Sequence, residues 1–225
     1  MEKSIETKAD LLRLKVELLC NGAKLGANID KGRKAGAGPA GGRYILLPGG
    51  LCVNTALRGS FAEESPWKLT ERNEKYFLSR RNMEVPIQVV PNPNFYSEIT
   101  SDGIPMWKVA LLHGRNCLAT TVYQKCTYWT TGNKCRFCGI ELSLKSGATI
   151  PVKTPTQFSE VVEAAVEEGV CSHITLTTGT TASPDRGSTL LAEIVREVKA
   201  HWNIPVHVQV EPPKDDKYLD MLADV

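Results

Sequence analysis

The stretch CLATTVYQKCTYWTTGNKCRFCG, residues 117–139, decides how the rest of the chain is read. Its first seven residues, Cys117 to Tyr123, are mostly apolar or β-branched and read as a strand. The strand runs into a loop with three cysteines, Cys126, Cys135 and Cys138, spaced C-x8-C-x2-C. In a loop no strand backbone holds thiolates apart, so they are free to converge on one metal. The chain has seven cysteines, an odd number, and its N-terminus MEKSIETKADLL lacks the apolar core of a secretory signal. Both observations argue for reduced thiols in the cytoplasm rather than for a disulfide framework.

Downstream of this loop the pattern alternates between helix and strand. Thr154-Pro155 is a helix start, an N-cap residue followed by proline in the first turn, and Phe158, Val161, Val162, Ala165 and Val166 continue it until Gly169 stops it. Ser172 to Thr178 reads as a strand, Thr189 to His201 as a helix, and Ile204 to Val210 as a strand. After Pro212-Pro213 comes a last helical stretch, Asp215 to Ala223. This β-α-β-α-β-α order predicts an α/β fold with parallel strands, and chemistry at the C-terminal ends of those strands. Three β/α units are fewer than a complete barrel of ~250 residues needs. The expected architecture is therefore a partial (β/α) TIM-type barrel over residues 116–225, in a chain truncated at its C-terminus.

Upstream, residues 1–115 have a different texture, with 17 Lys+Arg against 12 Asp+Glu, whereas residues 116–225 have 10 against 13. This region is expected to be a small α+β accessory layer. Apolar residues from Leu11 to Leu19 predict a helix over 4–20, and the glycine-rich stretch 32–43, with Lys34 and Arg43, predicts a flexible surface loop. It lacks the G-K-[ST] ending of a nucleotide loop, and no strand leads into it. If it acts, it closes over an anionic ligand. Tyr44 to Cys52 reads as a strand and turn, Trp67 to Arg81 as a helix, and Val85 to Val90 as an edge strand marked by Pro86. Met106 to Leu112 reads as a strand joined to the next by His113-Gly114-Arg115-Asn116.

A chain of 225 residues with net charge +2 and 42% hydrophobic residues has neither a nucleic-acid-binding charge excess nor a membrane-length apolar run. Neither partner is expected.

A structural zinc wants four protein ligands. Cys117 lies nine residues before Cys126 along a strand, roughly 30 Å away at ~3.3 Å per residue. Cys171 and His173 begin the second strand, at the opposite edge of a parallel sheet from the loop. Cys20 and Cys52 belong to the irregular region, and His113 precedes the first strand. Three thiolates with an open position suit an iron–sulfur cluster that binds a ligand at its fourth iron, or a catalytic zinc.

The loop resembles that of the radical S-adenosylmethionine (SAM) superfamily, whose usual motif is C-x3-C-x2-C with an aromatic residue before the last cysteine. Phe137 is that aromatic here, and the first spacing is wider. The similarity spans residues 117–225 and is to the biotin-synthase-like branch and the little-characterised nitrilase-associated members. The resemblance implies that Cys126, Cys135 and Cys138 hold a [4Fe–4S] cluster whose fourth iron is chelated by SAM. It further implies reductive cleavage of SAM to a 5′-deoxyadenosyl radical, hydrogen abstraction from a small-molecule substrate, and a low-potential flavodoxin- or ferredoxin-like electron donor. Thr178, Gly179 and Thr180 stand where the family has a Gly-Gly-Glu-like turn for the SAM amino group. The glutamate is absent, so only backbone and hydroxyl roles carry over.

On the third strand His207, Gln209 and Glu211 alternate with valines. Gln209 and Glu211 are candidates for SAM or substrate contacts, against the simpler reading of Glu211 as a cap or a solvated carboxylate. His201 reads as a cation at a helix C-terminus. The competing function is a non-catalytic zinc or iron–sulfur module that acts in partner binding or electron transfer.

Overall fold

The computed structural model describes Ile5, residues 7–26, Ile29 and residues 42–225. Apart from Gly42 and Arg43, the glycine-rich stretch 32–43 lies outside the described residues. The chain divides into two compact units, Met1–Pro91 and Asn92–Val225. This division comes earlier than the change of texture at residue 115, because the strand before Cys117 pairs with the Cys117 strand and belongs to its sheet.

The first unit opens with helix α1 (Lys8–Asn21). Thr7 accepts from the Asp10 backbone N–H while Asp10 accepts from that of Thr7, a capping box contributing ~1 kcal/mol. Strands β1 (Lys24–Leu25), β2 (Gly42–Leu47) and β3 (Leu51–Ala56) follow, then the single turn α2 (Ser60–Glu63). Strands β4 (Lys68–Arg72), β5 (Lys75–Arg80) and β6 (Met83–Val89) complete a six-stranded sheet ordered β1-β4-β5-β6-β2-β3. Leu14 and Leu18 of α1 are buried in one core with Ile45, Val53, Trp67, Leu69, Leu78 and Val85.

Residues 67–81, expected as a helix, form the β4–β5 hairpin instead. Trp67 and Leu69 are buried at period two, and the turn residues Asn73 and Glu74 both have positive φ, 51° and 61°, as a two-residue hairpin turn of matching twist requires. The charged residues around these apolar positions imitate an amphipathic helix. Strand β6 lies inside the sheet, not at its edge. Pro86 is tolerated because β2 pairs with β6 only at Gln88 and Val89, leaving Pro86 with β5 alone.

In the second unit, the expected strand 106–112 is a helical turn, α3 (Met106–Val109), followed by the short strand β7 (Leu111–His113). Then come β8 (Cys117–Thr121), the turns α4 (Thr127–Thr130) and α5 (Ile140–Lys145), and helix α6 (Pro155–Glu167). Strand β9 (His173–Thr177), helix α7 (Ser188–His201), strand β10 (Val206–Gln209) and helix α8 (Lys217–Ala223) follow. The sheet order is β10-β9-β8-β7; β8, β9 and β10 are parallel and β7 is antiparallel to β8. This unit is α/β.

Helix α6 begins as its sequence predicts, with Thr154 as N-cap and Pro155 at the first position; the structure adds Gln157, which completes a reciprocal capping box. Its buried face, Phe158, Val161, Val162 and Ala165, shares a core with Leu118, Ile174 and Leu176 of the sheet and Leu191, Ile194 and Val198 of α7. At the end of α7, His201 stands 3.5 Å from Glu197. No helix among the described residues is long and apolar enough to cross a membrane.

Candidate functional site

The parallel register makes Thr121, Thr177 and Gln209 level with one another, so the segments that follow β8, β9 and β10 leave the same edge of the sheet. The cysteine-bearing segment follows β8. It is tied to the end of β9 and the segment after it by three backbone bonds: Val122 N–H to Thr177 O (2.8 Å), Gly179 N–H to Tyr123 O (2.8 Å) and Thr127 N–H to Thr180 O (2.9 Å).

At Gly179 the two segments approach closely. A Cβ there would stand 1.8 Å from the Lys125 carbonyl oxygen, so only glycine fits. Its N–H is taken by Tyr123, and its carbonyl accepts from the Thr178 hydroxyl at 3.0 Å. Thr180 is buried and turns its hydroxyl to Glu211.

Cys126 is half-buried at the N-cap of α4, Cys138 is half-buried, and Cys135 is exposed; all three are free thiols. The Cys138 N–H donates to Cys135 O at 3.2 Å, the tight turn that C-x2-C spacing favours. Phe137, between them, is 101% exposed. Lys134 lies over the Trp129 ring, 4.4 Å from its centroid.

As donors the three thiols are a soft, all-sulfur set, with chemistry suited to an iron–sulfur cluster or zinc. Their positions are not those of a formed site. Among the described residues no group of three or more His, Cys, Asp or Glu side chains stands close enough to hold a metal ion. Metal binding would have to draw this segment together.

The other cysteines of the second unit lie where the strand argument expects them. Cys117 is level with His173 at the beginning of the strands, the edge opposite the loop. Burial pushes the Cys171 thiol up to about 11, which keeps it protonated and a poor ligand or nucleophile.

The third strand end brings a carboxylate to the cysteine segment. The Tyr128 hydroxyl donates to Glu211 Oε1 at 2.7 Å. Hydrogen bonds from Thr180 and then Tyr128, helped by the positive charge of Arg186, hold the Glu211 carboxyl below its ordinary value. The same bond, followed by burial, raises the Tyr128 phenol above its own. At neutral pH the pair is thus carboxylate and phenol. Glu211 is neither a helix cap nor simply solvated; Gln209, its neighbour on the same face, is exposed with its amide 3.1 Å from the His207 ring.

Arg186 was not legible as part of this cluster. It has φ 56°, a backbone region that disfavours side chains other than glycine, and its guanidinium donates to Thr181 O at 3.2 Å. The usable sequence signal is the turn Pro184-Asp185-Arg186-Gly187 just before α7. Tyr128 also escaped a reading centred on cysteines, although an aromatic in a metal-type loop is a signal of its own.

No family model, curated protein or solved structure matches this chain. Its own residues present an all-thiol segment and an anionic carboxylate at one edge of a parallel sheet, joined by hydrogen bonds among the segments that follow three strands.

Proposed function

We propose that this chain is a radical SAM-type enzyme, or the cluster-binding portion of one, built on the first three units of a partial (β/α) TIM-type barrel. The observation that carries the reading is the attachment of the Cys126–Cys138 segment to the turn after β9, at the C-terminal edge of the parallel strands. That is where α/β folds keep their chemistry.

In this reading Cys126, Cys135 and Cys138 hold a [4Fe–4S] cluster, which when bound supplies the electron for reductive cleavage of SAM. The protein's part is binding and orientation. Cys126 is positioned by the first turn of α4 and by the Thr127–Thr180 bond. The Thr178-Gly179-Thr180 turn lies beside it, tied to the same segment through Tyr123 and Thr127. Glu211, kept anionic, accepts a hydrogen bond from an N–H or O–H of a bound molecule, and Gln209 offers a second polar contact. Phe137 has an exposed ring that can cover the loaded segment and exclude water. The substrate is a small molecule, the electron comes from a low-potential flavodoxin- or ferredoxin-like donor, and a reducing cytoplasm suits both.

Anaerobic reconstitution with iron and sulfide tests the proposal. A brown protein with broad visible absorption, which releases 5′-deoxyadenosine from SAM on reduction, is the expected result. A colourless protein that takes up zinc and releases no nucleoside overturns it in favour of a non-catalytic metal module.

A further inference from the structure

Lys153 is fully buried, and the bonded partners of its ammonium are three uncharged oxygens. Thr149 Oγ1 accepts at 2.6 Å, Gln124 Oε1 at 3.1 Å and the Ile150 carbonyl at 3.1 Å. An ammonium has three N–H donors, and each is used. No carboxylate is among these partners, and burial pulls the group down from 10.5 to about 7. A buried cation without a counter-charge is costly, so filling space does not account for a lysine here. A methionine would fill the same volume.

What the lysine adds is orientation. Gln124 is 2% exposed, and its amide can face either way unless a partner decides. With Oε1 taken by Lys153, Nε2 is turned to the Ile140 carbonyl, to which it donates at 3.1 Å. The reverse orientation would set an amide NH2 against the ammonium and an oxygen against the Ile140 carbonyl. The Gln124 backbone N–H is also fixed, on Pro151 O at 2.7 Å. Gln124 stands two residues before Cys126, and Ile140 two residues after Cys138. The Gln124 amide therefore clasps the two ends of the segment that carries all three cysteines.

We propose that Lys153 is a positioning residue for the three-cysteine segment: acting through Gln124, it holds the ends of residues 124–140 together and presets the separation of Cys126 from Cys138. This rests on the reading of those thiols as metal ligands. The ligand class is a thiolate-seeking metal or an iron–sulfur cluster. Lys153 touches neither metal nor substrate and acts by restricting the loop before binding.

The test uses the full chain, reduced and anaerobic, with cobalt(II) as probe, read by sulfur-to-cobalt charge-transfer absorption and by thermal midpoint. Lys153→Met and Gln124→Met are each expected to weaken cobalt binding about 10- to 100-fold, the range for residues that orient ligands. The double variant is expected to bind no more weakly than the worse single variant, because both act along one path. If Lys153→Met does not fold, Gln124→Met, which keeps the lysine and two of its acceptors, is judged alone. Unchanged cobalt affinity in the variants, or losses that add in the double variant, overturns the proposal while leaving the metal reading intact. Absence of a thiolate band in the unmodified protein overturns the metal reading itself.

Discussion

The hydroxyl of Tyr128 donates to Glu211 Oε1 at 2.7 Å, although 83 residues separate the two in the chain. Through this bond the segment after β8 and the segment after β10 meet. Thr180, from the end of β9, adds its hydroxyl to the same carboxylate. Tyr128→Phe should raise the Glu211 pKa toward 4.5, and Glu211→Gln should lower the Tyr128 pKa toward 10.0. Carboxyl and phenol titrations by NMR check both. Because the folded-state pKa of Glu211 is depressed, its contribution to stability is present above 4.5 and is lost as pH falls through the folded value. An unchanged Glu211 titration in Tyr128→Phe would show that the bond is not formed in solution.

Gly179→Ala should be among the most damaging small substitutions in the second unit. The added methyl meets the Lys125 carbonyl, a backbone atom that cannot move without breaking the bonds between the two segments. A loss of roughly 2–4 kcal/mol in urea unfolding is expected. Gly139→Ala, where a Cβ meets nothing within 4 Å and φ is −106°, should change stability little.

Cys135→Ser should abolish cluster or cobalt binding, while Cys171→Ser should leave it intact. The first residue is an exposed thiol of the loop; the second is a protonated thiol near the opposite edge of the sheet. Equal loss in both variants would overturn the proposed placing of metal binding at the C-terminal edge.

Glu74→Gly should stabilise the first unit by about 0.5–1 kcal/mol, since glycine adopts the left-handed conformation of this turn without strain. Glu74 has φ 61° in the two-residue connection between β4 and β5. A higher thermal midpoint checks it. In a helix the same substitution would destabilise by a similar amount, so the sign discriminates hairpin from helix.

Lys153 ties stability to pH. Its folded-state value of about 7 lies below the ordinary 10.5, so between these values the unfolded chain binds more protons than the native one. Stability should therefore rise with pH across that window, by on the order of a few kcal/mol, and be lowest below pH 7, where the buried amine is charged. Lys153→Met should flatten the profile, which urea unfolding at a series of pH values measures.

Much of the second unit was legible because its signals are local. Thr154-Pro155 marks a helix start in any context, Gly169 marks a stop, and β-branched runs such as His173–Thr177 have few alternatives to a strand. The three loop cysteines were legible by spacing alone. Residues 67–81 were misleading because Asn73-Glu74 is a weak turn signal and the charges around Leu69 and Leu78 satisfy a helical period as readily as a strand's. Pro86 misled as an edge marker, because the strand beside β6 is set by Ile45 and Leu46, far upstream in the chain.

From its sequence alone this protein is a chain with a β/α rhythm after Cys117 and a thiol-rich loop at the end of the first of those strands, because caps, periodicity and spacing act over a few residues. The tertiary structure alone decided that Gly179 lies against Lys125, that Glu211 reaches Tyr128 and Thr180, and that Lys153 grips the base of the cysteine segment through Gln124. Those contacts join residues dozens of positions apart. The first two exist because the parallel register brings three strand ends level at one edge of the sheet, and the third because the long β8–α6 connection folds back on its own start.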